Sequence, residues 1–60
     1  MDGDGSMSTY KATLGDEIVV VTVIGSKAHV TGVTNNLNEW LNNKHVNGFL
    51  NKFDKVEKII

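Results

Sequence analysis

Polar and apolar residues alternate with a period of two through residues 10 to 14, and an apolar run follows over residues 18 to 24. Every residue of that run is valine, isoleucine or threonine, the β-branched residues that favour extended backbone. A period of two places successive side chains on opposite faces of a strand. The pattern therefore predicts β-structure over residues 9 to 33, with its strongest strand at residues 18 to 24.

Glycine-containing turns divide this β-region. Gly15-Asp16 precedes the strongest strand, and Gly25-Ser26-Lys27 follows it. Glycine supplies the positive φ that tight hairpin turns require. We therefore expect a central hairpin over residues 18 to 33, in which Gly32 marks a bulge or a sharp bend.

Residues 34 to 47 support two interpretations. Asn36 followed by Glu39 is typical of a helix start, which would give a helix near residues 37 to 46. The apolar face of this helix would hold Leu37, Trp40, Leu41 and His45. Six asparagines lie between residues 35 and 47, however, and asparagine prefers caps and turns to helix interiors.

Two folds therefore remain open at this point. One is a mainly β fold, a small barrel built on the central hairpin. The other is an α+β fold, an antiparallel β-β-β-α-β sheet with a helix near residues 37 to 46. In both, Val56-Glu57-Lys58-Ile59-Ile60 is compatible with a closing strand.

Two sets of residues carry a family resemblance. Leu14-Gly15-Asp16-Glu17-Ile18 is one set, and the other comprises Trp40, Asn47-Gly48-Phe49-Leu50, Phe53 and Val56-Glu57-Lys58-Ile59. They resemble the Gly-Asp strand entry and the C-terminal part of SH3-like small β-barrels of the SH3 and KOW types. The resemblance implies a strand at Gly48-Phe49-Leu50, a one-turn 3₁₀ segment at Phe53 and a short last strand.

The same resemblance implies a set of contact residues, an aromatic groove and an acidic loop: Tyr10, Trp40, Phe53, Asp16 and Glu17. The chain departs from eukaryotic SH3 domains in two respects. It lacks their Ala-Leu-Tyr-Asp-Tyr segment, and Asn51 stands where they have proline. The resemblance therefore does not imply a groove for proline-rich peptides.

The composition predicts one small domain behind a short tail. Residues 1 to 8 are rich in glycine, aspartate and serine, which is typical of a disordered segment, and Gly5-Ser6 before Met7 resembles an expression-tag remnant. Residues 9 to 60 would form the single domain. The chain has no cysteine and no apolar stretch of membrane-spanning length, so we expect a cytoplasmic protein without a membrane partner.

Few residues are suited to catalysis or metal binding. A zinc site needs more ligands than His29 and His45, and the chain has no cysteine to supply them. The oxygen-rich residues 2 to 6 lack the glutamate that completes a calcium loop. Asp16 and Glu17 are sequence neighbours, so they do not face each other across a substrate. We expect no enzymatic activity, no metal and no cofactor.

The charge is distributed unevenly, although its net value is only -1. All six cationic residues are lysine, and the missing arginine argues against sequence-specific DNA recognition. Four lysines lie in the last third of the chain, at Lys44, Lys52, Lys55 and Lys58. With Trp40, His45 and Tyr10, they would form a modest surface for nucleic acid.

Trp40 is the most informative single residue. A lone tryptophan anchors the core of a small domain or forms a contact surface, and both roles remain open for Trp40 at this point. The chain as a whole predicts a small non-catalytic binding module, with a protein partner and a regulatory or inhibitory role. The alternatives are weak nucleic-acid binding and pairing of strand edges with a second copy. The expected binding residues are Tyr10, Asp16, Glu17, Trp40, Lys44, His45 and Phe53.

Overall fold

In the computed structural model, which describes residues 7 to 60, the chain folds into one antiparallel sheet with two short helical segments. The strands are β1 (Met7–Leu14), β2 (Glu17–Ile24), β3 (Lys27–Gly32), β4 (Asn38–Asn42) and β5 (Lys55–Lys58). A 3₁₀ turn (Asn43–His45) and the helix α1 (Val46–Leu50) connect β4 to β5. The prediction of a mainly β fold built on the central hairpin is confirmed.

The strand order across the sheet is β4-β3-β2-β1-β5, and every pair is antiparallel. Strands β1 to β4 therefore form a meander, and β5 returns to the outer side of β1. The last strand lies where the sequence predicted it, and the amide of Ile59 extends the pairing by donating to the carbonyl of Thr9 at 2.7 Å. This order leaves β4 and β5 as the two edges of the sheet.

Both tight hairpins turn on a glycine. Gly15 has φ of 59° and Gly25 has φ of 60°, whereas no non-glycine residue of the described chain has positive φ. Each glycine is the first of two loop residues and the second has negative φ, so both loops have the φ signs of a type II′ turn. This turn type matches the twist of the flanking strands, which explains why the hairpins are tight.

The core lies on one face of the sheet. Alternate residues of β1, β2 and β3 are buried there, and Val46 and Leu50 of α1 cover them. The buried strand residues are Ala12, Val19, Val21, Ala28 and Val30. We call this side of the sheet the core face and the other side the open face.

The helix considered for residues 37 to 46 is not formed. Residues 38 to 42 are strand β4, in which Leu41 contacts the core while Trp40 points to the other face. Leu37 and Leu41 are four residues apart, which equals one helical turn but also two full periods of a strand. The capping residue is Asn42 rather than Asn36, and its side chain accepts a hydrogen bond from the amide of Lys44 at 3.1 Å.

The strand expected at Gly48-Phe49-Leu50 is not formed either, because these residues are the second half of α1. Val46, Phe49, Leu50 and Phe53 recur with helical spacing, and all four pack in or against the core. Gly48 is exposed on the opposite side of this short helix. The helical period therefore determines the structure here.

The first strand begins at Met7, so Met7 and Ser8 belong to the sheet rather than to the tail. The predictions of a disordered tail, a tag remnant and a missing calcium loop in residues 1 to 6 lie outside the described residues. Within residues 7 to 60, no helix is long and apolar enough to cross a membrane.

Candidate functional site around Trp40

The open face carries a row of side chains that crosses four strands. In an antiparallel sheet, residues that pair across strands point to the same face. Thr9 pairs with Thr22, Thr22 with His29, and His29 with Trp40. His29 lies between the buried residues Ala28 and Val30, so this row points away from the core and from α1.

Trp40 is 59% exposed at the end of this row, so of the two roles considered for it the core role is excluded. Its ring stacks on the imidazole of His29 with centroids 4.5 Å apart and an interplanar angle of 19°. On either side of this pair, the amide of Gly32 donates to the carbonyl of Leu37, and the amide of Asn43 donates to the carbonyl of Ser26. Hydrogen-bonded and non-hydrogen-bonded pairs alternate along an antiparallel ladder, so His29 and Trp40 are a non-hydrogen-bonded pair. The side chains of such pairs approach most closely.

Asn38 holds the imidazole of His29 in place. Its Oδ1 lies 2.7 Å from Nε2 of His29. An amide oxygen only accepts hydrogen bonds, so Nε2 donates the proton. Asn38 and Trp40 stand two residues apart on β4, and together they fix the plane and the position of the His29 ring.

An apolar strip borders the aromatic stack. Alternate residues of β2 face the core side, and apart from Thr22 the others, Ile18, Val20 and Ile24, are apolar residues that point to the open face. Ile24 is 46% exposed, and Met7, which pairs with it on β1, is 50% exposed. A strand that is apolar on both sides is usual where both faces of a sheet are covered. Among the described residues nothing packs on the open face, so this strip and Trp40 contact solvent.

The charges of the open face are mainly positive. The register places Lys11, Lys27 and Lys55 on it, against Glu57. Lys11 and Glu57 are direct cross-strand partners. Lys27 has no charged cross-strand partner, and it lies two residues from His29 on β3. It therefore places a positive charge beside the stack of His29 and Trp40.

The structure separates the aromatic residues that were expected in one groove. Tyr10 pairs with Val21, a fully buried residue, so it points to the core face and packs against the core. Phe53 is half-buried on the same side, with its ring 5.2 Å from that of Phe49. Trp40 points to the other face and is not part of a groove with these two residues.

The charged candidates lie at opposite ends of the central hairpin. Asp16 and Glu17 belong to the β1–β2 turn and the start of β2. Lys44 and His45 follow Asn43, whose amide donates to the carbonyl of Ser26 at 2.8 Å in the β2–β3 turn. Strand β2 spans the distance between the two groups, so they do not form one site.

The expected lysine surface is also divided. Lys55 and Lys58 are three residues apart on β5 and therefore point to opposite faces. Lys52 follows α1, where its Nζ lies 6.0 Å from the ring centroid of Phe49. Only Lys55 of these three shares a face with Trp40.

His29, Asn38 and Ile24 are site residues that the sequence did not identify as contact residues. Alternation along β3 places His29 on the face opposite Ala28 and Val30. Its stacking partner depends on the register between β3 and β4, and that register is set by the irregular loop at residues 33 to 37. The sequence contains no local signal for such a pairing.

Comparisons of the chain with protein-family models, with curated proteins and with solved structures find no significant match. Residues 7 to 60 enclose no pocket, and no group of three or more histidine, cysteine, aspartate or glutamate side chains in that range is placed to hold a metal ion.

Proposed function

We propose that the chain is a small non-catalytic protein-binding module that contacts its partner through the open face around Trp40. The observation that carries this proposal is the exposure of the only tryptophan, at 59%, beside an apolar strip that nothing in the described chain covers. Tryptophan is the residue type most enriched at the centres of protein interfaces.

The stack with His29 supports this role because it orders the tryptophan before a partner arrives. Immobilising a side chain on binding costs about 0.5–1.5 kcal/mol, and a ring that is already ordered avoids much of this cost. His29, which is itself hydrogen-bonded to Asn38, stacks on the Trp40 ring, and the tryptophan side chain remains 59% exposed. The side chain therefore resembles a preformed contact rather than a mobile surface group.

The chemistry of the open face favours a protein surface with apolar and acidic groups. Ile24, Met7 and Trp40 supply apolar area, and Lys27 lies at the edge of that area. We place such a regulatory or inhibitory module in the cytoplasm, because the chain has no cysteine to stabilise it by disulfides. We also propose a relationship to SH3-like barrels, which the five antiparallel strands and the helical turn before the last strand support.

A capture experiment with three baits tests the proposal. The full chain and its variants Trp40→Ser and Leu14→Ser are immobilised, and partners retained from cell extract are identified and then titrated in purified form. Leu14 is a matched control, because it is an exposed apolar residue, 40% accessible, at the far end of β1 on the core side. We expect Trp40→Ser to weaken the purified complex at least 30-fold, about 2 kcal/mol, and Leu14→Ser to change it less than threefold.

Weak nucleic-acid binding is the competing function, since a stacked aromatic pair beside lysines also suits bases and phosphates. Nuclease treatment and salt separate the two roles. A protein complex survives nuclease and changes little between 50 and 200 mM salt, whereas an oligonucleotide complex weakens steeply, by about tenfold or more for a few phosphate contacts. Retention that depends on nucleic acid, or that is equal for wild type and Trp40→Ser, overturns the proposal.

A further inference from the structure

The two edges of the sheet differ in how they are protected from pairing. Edge strands usually carry charges, above all lysine, that discourage another strand from adding to them. Strand β5 has three charged residues, Lys55, Glu57 and Lys58, among its four positions. Strand β4 has one, Glu39, among five, and no proline.

The free backbone groups of β4 follow from the register. The bonds from Gly32 to Leu37 and from Asn43 to Ser26 belong to the ladder between β3 and β4. Bonded pairs alternate along such a ladder, so Glu39 and Leu41 direct their amides and carbonyls to β3. Asn38, Trp40 and Asn42 therefore direct theirs outward, where no strand of residues 7 to 60 pairs with them.

This edge is complementary to itself. When two copies of β4 meet antiparallel with Trp40 at the centre, Trp40 faces Trp40, and Asn38 faces Asn42. The outward amides and carbonyls of both chains then form about six backbone hydrogen bonds. On the core side Glu39 lies opposite Leu41 of the other copy, so no like charges face each other.

We propose that the partner of this edge is a second copy of the chain, which joins β4 to β4 and forms a continuous sheet of two domains. The inference deepens the proposed function, because it also brings the two His29–Trp40 stacks into one row on a doubled open face. A pair of five-residue strands buries less than the roughly 800 Å² per partner of a standard interface. The dimer is therefore weak and depends on concentration.

Proline at position 42 tests the edge without altering Trp40. Asn42 has φ of -76°, which proline adopts without strain, and its amide points outward. Asn42→Pro removes that donor, and Asn42→Ala is the matched control, because both variants lose the cap to Lys44 while alanine keeps the amide. Sedimentation of the full chain between about 20 μM and about 1 mM should show dimer for wild type and Asn42→Ala. We expect the dimer dissociation constant of Asn42→Pro to rise at least tenfold.

A measurement on the wild-type chain covers the case in which Asn42→Pro does not fold. With increasing concentration, the amide signals of Asn38, Trp40 and Asn42 should shift, while those of Val56 and Lys58, which point outward from β5, should stay in place. A monomer at all concentrations, shifts confined to β5, or a dimer that persists unchanged in folded Asn42→Pro overturns the inference. Partner capture by Asn42→Pro that matches wild type leaves the proposed function intact, so the two failures are distinguishable.

Discussion

At the scale of single residues, Gly32 is constrained by its surroundings rather than by its backbone angles. A Cβ at this position would collide with the side-chain oxygen of Asn35 and lie 2.9 Å from its backbone oxygen. Its amide donates to the carbonyl of Leu37 at 2.8 Å, and the Asn35 side chain accepts from the amide of Leu37 at 2.9 Å. This close packing closes the loop that sets the register of β4.

Gly32→Ala therefore destabilises the domain. We expect the free energy of unfolding to fall by about 1–3 kcal/mol, the usual cost of inserting atoms into a packed site. Gly48→Ala is the control, because a Cβ there meets nothing within 4 Å and glycine inside a helix is unfavourable by about 0.5–1 kcal/mol relative to alanine. Urea denaturation measures both. Equal effects of the two substitutions would contradict the role of Gly32.

At the scale of elements, alternation along β2 divides its side chains between the two faces. Val21 is fully buried on the core face, and its neighbour Val20 is half-buried on the open face. The apolar run over residues 18 to 24 predicted this strand but not the division, because both faces carry apolar residues. Only the pairing with β1 and β3, and the position of α1, determine which face is covered.

Substituting the two valines by alanine measures this division directly. Val21→Ala should lower the free energy of unfolding by about 2 kcal/mol, since it removes buried methyl groups and leaves a cavity. Val20→Ala should cost less than about 1 kcal/mol, mostly from reduced β-propensity. Thermal or urea unfolding compares them under the same conditions. A larger loss for Val20 would mean that the open face is covered.

The elements that the sequence predicted well are those formed by local signals. The hairpin at residues 18 to 33 follows from β-branched residues and from Gly25, which has the positive φ of its turn. Residues 37 to 41 were ambiguous because the spacing of Leu37 and Leu41 suits a helix and a strand equally. Asparagine prefers turns and caps to helix interiors, and the structure follows this preference. The side chain of Asn35 accepts a hydrogen bond in the loop before β4, and that of Asn42 accepts one at the cap of the 3₁₀ turn.

At the scale of the whole molecule, the core and the candidate site are built from different residue types. The core consists mainly of small side chains, valine and alanine, with Leu50 at its border. The largest side chain of the chain, Trp40, lies outside it. A small domain gains much stability from burying its aromatic residues, and an exposed tryptophan forgoes that gain, as the proposed contact surface requires.

The candidate site could be predicted from the sequence only in part. Trp40 was identified as a contact residue, whereas Tyr10 and Phe53 pack on the core side and Asp16 lies at a distant turn. The expected groove required these residues to lie on one face of the sheet. The face on which each residue lies is determined only by the register of all five strands. The pairing of His29 with Trp40 depends on that same register, across a loop without regular structure.

Fluorescence of Trp40 is the most direct test, because it is the only tryptophan and reports its own exposure. In dilute folded protein, where the chain is monomeric, the emission should resemble that of tryptophan in water, and acrylamide should quench it nearly as well as in the urea-unfolded chain. Blue-shifted emission that is protected from acrylamide until the protein unfolds would place Trp40 in a core and contradict the open face.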